Sequence, residues 1–265
     1  MSPEIAYTND GSPTLWSERY AQHYHNRHGA ETESRHVFFE KTGLCAALAR
    51  HETLCVLEIG FGSGSHAIML ATEHLRCASR SRIRFCSVEH DPVDPSLLEQ
   101  MYNADRWAPP GPVRDNLMKL VNKLHRSDSG SVVSQPCGPD IVWEVFHGPF
   151  ELVSPTFCKA DFVLFDAFSP EANPELWTQD VFEKLRNMSS GQAVLGTYCS
   201  ATRARAAMVL GGWTVARCAG PPGKREMTLA STNPDLLSGH KPVNAERLRE
   251  RFGAHNRRTG SLDNS

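Results

Sequence analysis

Residues 54–65 have the sequence LCVLEIGFGSGS, in which an apolar run with one acid leads into three alternating glycines. The apolar run has the length and aliphatic content of a buried parallel strand. Residues 66–77 follow a helical pattern, so the glycines lie in a strand-to-helix turn. Because glycine lets the backbone approach a ligand closely, this turn is the first candidate for a binding site.

The spacing of these glycines distinguishes between two classes of nucleotide site. A dinucleotide-binding turn has the pattern G-x-G-x-x-G, which places a pyrophosphate at the N-terminus of the helix. Here the pattern is E-x-G-x-G-x-G, which disfavours a nicotinamide dehydrogenase. It resembles the first motif of the Rossmann-like methyltransferases that bind S-adenosylmethionine, whose loop wraps the methionine part of this cofactor. The residues that this resemblance assigns to the cofactor are Glu58, Gly60, Phe61, Gly62 and Gly64.

Three later positions extend the predicted site. A second strand pattern ends on Glu89, about 25 residues past the glycines, where a carboxylate can accept hydrogen bonds from two ribose hydroxyls. A third strand pattern leads to Gly148, in the turn where an adenine base is expected. A fourth, over 160–165, delivers Asp166 to its carboxyl end. Because ligands of open α/β sheets bind beyond those ends, we expect all three residues at one edge of the sheet.

The remaining patterns alternate between strand and helix. They predict a Rossmann-like, doubly wound α/β sheet of seven strands, mostly parallel, that closes with an antiparallel hairpin. One methyltransferase domain is expected over 51–232, after an N-terminal extension over 1–50 that packs on the sheet, and before a polar tail over 233–265. Residues 103–140 are expected to form a loose insertion with one helix, and 126–139 a mobile loop within it.

Two local signals add detail to this arrangement. The turn Asn9-Asp10-Gly11 predicts a hairpin near the N-terminus. Asn173 and Pro174 have the residue types of a helix cap and a first helical position, which predicts one helix over 173–188.

Composition limits the functional classes. The formal net charge of the 265 residues is −2, so the chain is not a globally basic nucleic-acid binder. No apolar run reaches the roughly 18 residues of a membrane helix. The eight cysteines include no C-x-x-C pair, which indicates reduced thiols in a cytoplasmic protein, and no metal site is predicted. They are at positions 45, 55, 77, 86, 137, 158, 199 and 218.

A longer block is typical of one family. Residues 161–182, DFVLFDAFSPEANPELWTQDVF, and KREM at 224–227 resemble the methyltransferase domain of the MnmC family, which makes 5-methylaminomethyl-2-thiouridine in tRNA. The glycine motif, Glu89 and ESRHVF at 33–38 follow the order of that domain. The resemblance covers most of residues 1–231. Because the sequence contains no further glycine motif of the dinucleotide type G-x-G-x-x-G, it is similar to a stand-alone methyltransferase form without the flavin-dependent oxidoreductase half.

The resemblance implies methyl transfer from S-adenosylmethionine to the primary amine of 5-aminomethyl-2-thiouridine at the tRNA wobble position. It makes Asp166 the catalytic residue, which holds the amine, receives its proton and lies beside the cofactor. It also implies that Phe168 and Pro170 shape the substrate pocket, and that Lys224 and Arg225 bind phosphates of the tRNA anticodon stem-loop. A separate enzyme would supply the aminomethyl precursor.

One departure from the family leaves alternatives open. The family usually has an acid after the glycine that follows the third strand, where it meets the adenine amine, but this chain has Pro149. The alternatives are a methyltransferase for a small amine or a protein, and a cofactor-binding partner protein without catalysis. The presence of Glu58, Glu89 and Asp166 favours an enzyme.

Overall fold

The computed structural model describes residues 5–24, 29–50, 53–103 and 109–256. Most of them build a nine-stranded sheet with helices on both faces, and a three-stranded sheet precedes it. The strands are β1 (Ile5–Tyr7), β2 (Pro13–Ser17), β3 (Gln22–His23), β4 (Thr53–Ile59), β5 (Arg82–Glu89), β6 (Val132–Pro136), β7 (Ile141–His147), β8 (Ala160–Phe165), β9 (Ser189–Thr197), β10 (Thr214–Ala219), β11 (Glu226–Ser231) and β12 (Lys241–Pro242). The α-helices are α1 (Ala30–Ser34), α2 (Leu44–Leu48), α3 (Ser65–Arg76), α4 (Pro95–Tyr102), α5 (Gly111–His125), α6 (Gln179–Asn187), α7 (Thr202–Leu210) and α8 (Ala245–Asn256).

The strand order of the large sheet is β12-β10-β11-β9-β8-β4-β5-β7-β6. Its five central strands, β9, β8, β4, β5 and β7, run parallel, whereas β6 and β11 pair antiparallel on the two sides. The chain passes from β4 outward to β5 and β7, and then returns to place β8 on the other side of β4. Open α/β sheets bind their ligands at such a reversal, beyond the carboxyl ends of the strands.

Alternate residues of the central strands face opposite layers of helices. In β4, Leu54 and Val56 belong to an apolar cluster that includes side chains of α3 and α5. Leu57 and Ile59 belong to a second cluster that includes side chains of α6 and α7. All four are almost completely buried, as expected for a parallel sheet that is covered on both faces.

The predicted Rossmann-like α/β fold is confirmed, and so is the N-terminal hairpin. Strand β1 pairs antiparallel with β2, and the amide of Gly11 donates to the carbonyl of Thr8 in the turn between them. After this small sheet, α1 continues into a π-helical turn, Arg35–Glu40. A break at Gly43, where φ is 85°, separates this turn from α2.

The sheet has nine strands rather than the seven predicted, because β6 and β12 extend its two edges. The prediction of a mobile loop over 126–139 is wrong at Val132–Pro136, which form β6 and pair with β7. Side chains alternate between exposed and buried there, and Val133 and Gln135 face inward. The buried amide of Gln135 accepts a hydrogen bond from Lys123 on α5. A polar residue therefore fills an inward position, and this hides the strand pattern in the sequence.

The single helix predicted over 173–188 is also wrong, because the segment has two parts. A 3-10 turn, Pro174–Leu176, comes first, and α6 begins after Thr178, whose hydroxyl accepts a backbone amide of its first turn. Trp177 lies between the two parts, and its indole N–H donates to the carbonyl of Phe168 at 2.8 Å. This tertiary contact interrupts the local helical pattern.

The polar tail over 233–265 contains α8. Residues 257–265 at its end lie outside the described residues. Within the described ranges, no helix is long and apolar enough to cross a membrane.

Candidate active site

The glycine turn joins β4 to α3 at the carboxyl edge of the sheet. Gly60, Gly62 and Gly64 have φ angles of 95°, 52° and 75°, which residues with side chains rarely adopt. A β-carbon at Gly60 would lie 3.1 Å from the backbone oxygen of Asp166, so glycine lets the turn approach the end of β8. The turn therefore presents backbone to the space above the sheet.

Glu89 ends β5 beside this turn. Its Oε2 accepts the amide of Gly62 at 2.8 Å, and its Oε1 accepts the amide of Asp91 at 2.7 Å. Burial raises the pKa of Glu89 to about 7, and the two backbone donors oppose this rise. Each carboxylate oxygen has further acceptor capacity. Glu89 can therefore accept two more hydrogen bonds, as a pair of ribose hydroxyls requires.

Asp166 follows β8 directly, on the other side of the glycine turn from Glu89. Its amide donates to the carbonyl of Ile59 at 3.1 Å, and its side chain is 16% exposed. Burial raises the pKa of Asp166 to about 7, and the neighbouring His66 opposes this rise. A carboxyl group that ionises near neutral pH is suited to exchange a proton with a bound substrate.

His66, in the first turn of α3, is completely buried next to Asp166. Its Nε2 lies 3.9 Å from Asp166 Oδ2 and 3.0 Å from the hydroxyl of Ser34, and its Nδ1 lies 2.8 Å from Glu58 Oε1. The hydroxyl of Ser87 donates to the other oxygen of Glu58 at 2.6 Å. Glu58 is thus held under the turn by His66 and Ser87. Sequence reasoning missed His66, because an isolated histidine in a helical run gives no signal of this position.

Glu89, Asp166 and the glycine turn line one cavity of about 700 Å³. Residues of the N-terminal sheet region form one wall of it. The ring of Tyr20 stacks on Phe168 with centroids 4.3 Å apart, and Tyr24 meets Phe168 edge-on at 5.3 Å. An aromatic wall of this kind suits a flat ring, such as a nucleobase.

The other predicted substrate residues lie in different environments. Lys224 lines the cavity, where its Nζ is 2.5 Å from Glu33 Oε1 and 4.5 Å from the ring centroid of Tyr198. Arg225 is exposed. Pro170 is partly buried and is not among the described residues that line the cavity. Lys224 is therefore already paired with a carboxylate, and contacts of all three with substrate stay predictions.

Gly148 and Pro149 line the cavity on the side where adenine is expected. The amide of Gly148 donates to the backbone oxygen of Glu89 at 2.7 Å. This hydrogen bond holds the turn next to the residue that is expected to bind the ribose. Glu151, two residues after Pro149, is exposed and lines the same cavity. It is the nearest following acid to the position where Pro149 replaces the acid expected from the family.

These residues fit the cofactor that the glycine motif implies. The turn offers backbone surface to the methionine part, and Glu89 offers acceptors to the ribose hydroxyls. Asp166 places a carboxylate next to the turn, which is favourable for a positively charged sulfonium group. The cavity volume is within the range of small-molecule sites.

Comparisons with known proteins agree with this geometry. Residues 148–233 match a family described as S-adenosyl-L-methionine-dependent methyltransferase. The tRNA 5-methylaminomethyl-2-thiouridine biosynthesis bifunctional proteins MnmC of Burkholderia multivorans and Aromatoleum aromaticum are 31% and 30% identical to this chain, over 91% of it in both cases. The chain spans 36% and 37% of the lengths of these relatives.

A solved structure described as MNMC2 from Aquifex aeolicus is 25% identical, with a TM-score of 0.69 over 94% of this chain and 76% of that one. Together with the family match and the site geometry, this makes the chain a Rossmann-like methyltransferase whose cofactor is S-adenosyl-L-methionine. Within that class, the chain is similar along most of its length to MnmC proteins.

Proposed function

We propose that this chain transfers a methyl group from S-adenosyl-L-methionine to the primary amine of 5-aminomethyl-2-thiouridine at the wobble position of tRNA. The similarity to MnmC over 91% of the chain supports this substrate. The observation that carries the proposal is the shared cavity, which is lined by the glycine turn, the Asp166 carboxyl group and the aromatic ring of Phe168. A substrate with both an amine and a flat ring matches the Asp166 carboxyl group and the Phe168 ring.

The protein must supply a proton acceptor for this reaction. When bound, S-adenosyl-L-methionine supplies an electrophilic methyl group on a positively charged sulfur. An aminomethyl group is largely protonated near neutral pH, so its lone pair has to be freed before attack. The Asp166 carboxylate accepts the amine proton and holds the nitrogen in line. As the N–C bond forms, the C–S bond breaks and its electron pair stays on sulfur. The product leaves as a secondary ammonium ion, and Asp166 then releases the proton it accepted to solvent.

The aromatic wall of the cavity accounts for recognition of the wobble base. A uracil ring flipped out of the anticodon loop can stack against the Tyr20 and Phe168 pair or displace Tyr20 from it. Arg225 is exposed close in sequence to the cavity residue Lys224, and we assign it to phosphates of the anticodon stem-loop. We further propose that a separate enzyme provides the aminomethyl precursor, and that the chain works in the cytoplasm with its tRNA.

We expect His66→Gln to move the rising limb of the pH dependence of kcat/KM upward by about one unit. The groups that face His66 are Ser34, Glu58, Asp166 and the ring of Phe38, whose centroid lies 4.6 Å away. Burial alone would lower the pKa of His66, but the hydrogen bond to Glu58 and the charge of Asp166 raise it. Its positive charge favours ionised Asp166, so glutamine makes Asp166 ionise at higher pH.

The measurement is the pH profile of methyl transfer across about two units on either side of neutrality. Thermal melting shows whether the His66→Gln variant is folded. A folded variant whose rising limb stays at the wild-type pH would show that His66 only fills space under the turn.

The cellular test is mass spectrometry of wobble nucleosides from cells that lack this protein. We expect 5-methylaminomethyl-2-thiouridine to disappear and its aminomethyl precursor to accumulate, because the last methylation is missing. Re-expression of the wild-type chain should restore the methylated nucleoside, and re-expression of Asp166→Asn should not. If the nucleoside pool is the same with and without the protein, the acceptor is a different amine.

A further inference from the structure

Three cysteine thiols converge in a part of the sheet that the methyl-transfer site does not use. Cys55 lies on β4, Cys86 on β5 and Cys158 two residues before β8. Their sulfur atoms all lie within 4.8 Å of one another. The three residues come from distant parts of the sequence, and the strand order β8-β4-β5 brings them together. None of the three is among the described residues that line the active-site cavity.

The strand register places polar groups beside this thiol cluster. Cys55 is the cross-strand partner of Arg84, and Cys86 is the cross-strand partner of Glu144, so all four side chains share one face of the sheet. Cys86 Sγ lies 3.9 Å from Glu144 Oε2, and Arg84 Nε donates to the same oxygen at 2.7 Å. The cluster thus contains three sulfur ligands, one neighbouring carboxylate and one positive charge.

We propose that Cys55, Cys86 and Cys158 bind one thiophilic metal ion, Zn²⁺ or Cu⁺, as thiolates. Thiolate sulfurs about 2.3 Å from a shared ion in their plane are about 4 Å apart, so the observed separations need little adjustment. Soft thiolate ligands select these two ions over magnesium or calcium. Glu144 can provide an oxygen as a fourth ligand for Zn²⁺, whereas Cu⁺ accepts three thiolates alone.

Burial and charge are compatible with such a site. Cys86 and Cys158 are 0% and 4% exposed, which shields bound metal from water, while Cys55 is only partly buried. Three thiolates around one ion carry net negative charge, and the Arg84 guanidinium offsets part of it. The ion would tie together three adjacent strands of the central sheet. No short cysteine motif in the sequence indicates a metal site here, because each ligand comes from a different strand region.

The test is a metal titration of the full-length protein after treatment with a chelator, with Zn²⁺ alone and Cu⁺ alone as probes. Competition with a chromophoric chelator gives the stoichiometry and the dissociation constant. We expect one equivalent of at least one of the two ions, and a rise in melting temperature when it binds. Cys86→Ser and Cys158→Ser should weaken binding by at least about 100-fold, since even residues behind the ligands contribute up to that factor.

Two further variants keep this test decisive. Cys55→Ser changes the partly buried member of the cluster, so it should fold even if the two buried replacements do not, and it should also weaken metal binding. Cys137→Ser removes a buried thiol outside the cluster and should bind metal as the wild type does. The proposal is wrong if the wild type takes up neither ion stoichiometrically, if Cys55→Ser binds as tightly as the wild type, or if the cluster forms a disulfide under mild oxidation and excludes metal.

Discussion

Asp166→Asn will lower the rate of methyl transfer by about 100- to 10,000-fold, the range for loss of a positioned acid–base group. The amide preserves the shape of the side chain and part of its hydrogen bonding, but it cannot accept the amine proton. The backbone contact between Asp166 and Ile59 does not involve the side chain, so the fold should persist. Cofactor binding should persist with only a small loss from the missing charge near the sulfonium, since the glycine turn and Glu89 are unchanged.

Single-turnover kinetics with aminomethyl-uridine tRNA measure this loss, and calorimetry measures the cofactor affinity separately. Asp161→Asn is the matched control, because Asp161 lies at the other end of β8 and its carboxylate accepts the amide of Cys55. That variant should methylate tRNA at close to the wild-type rate. If Asp166→Asn retains more than about a tenth of the wild-type rate, Asp166 is not the proton acceptor. If it loses the cofactor or unfolds, its role is structural.

The same carboxyl predicts a direction for the pH dependence. Because burial raises the pKa of Asp166 to about 7, the reactive ionised form increases as the pH rises through neutrality. Wild-type kcat/KM should therefore increase over this range, and deprotonation of the amine acts in the same direction.

Glu89→Ala will weaken cofactor binding by at least about tenfold, since a hydrogen bond to a charged group contributes roughly 1.5–3 kcal/mol. The effect has two sources. The variant loses the acceptors for the ribose hydroxyls, and it leaves the amides of Gly62 and Asp91 without the carboxylate that holds them. The glycine turn then loses one of its supports next to the cofactor.

Calorimetric titration with S-adenosylmethionine and with its demethylated product measures this effect. Glu99→Ala, on the exposed surface of α4 and away from the described lining of the active-site cavity, is the control and should bind as the wild type does. A dissociation constant unchanged in Glu89→Ala would remove Glu89 from the cofactor site. Tight binding of NAD by the wild type would overturn the assignment of the glycine motif.

The sequence was sufficient to predict which residues meet at the carboxyl edge of the sheet. Glu89, Asp166 and the glycine turn each lie at the carboxyl end of a buried strand, and the carboxyl ends of parallel strands lie at one edge of the sheet. The strand-to-helix alternation therefore predicts both the fold and the neighbourhood of these groups. This prediction does not depend on the exact lengths of the strands and helices.

The features that sequence reasoning missed depend on contacts between distant residues. His66 has a role only because α3 places it between Glu58 and Asp166. Lys224 pairs with Glu33, which is 191 residues away in the chain. The thiol cluster likewise exists only through the strand order. Such pairings leave no local periodicity, so composition and spacing cannot indicate them.

The most direct test of the proposed function is transfer of an isotope-labelled methyl group from S-adenosylmethionine to purified tRNA. One tRNA carries 5-aminomethyl-2-thiouridine at the wobble position, and a matched tRNA carries unmodified uridine there. We predict one labelled methyl group per aminomethyl group, located on the exocyclic nitrogen, and none on the matched tRNA. Equal labelling of the two tRNAs, or no labelling by protein that binds the cofactor, would contradict the proposed function.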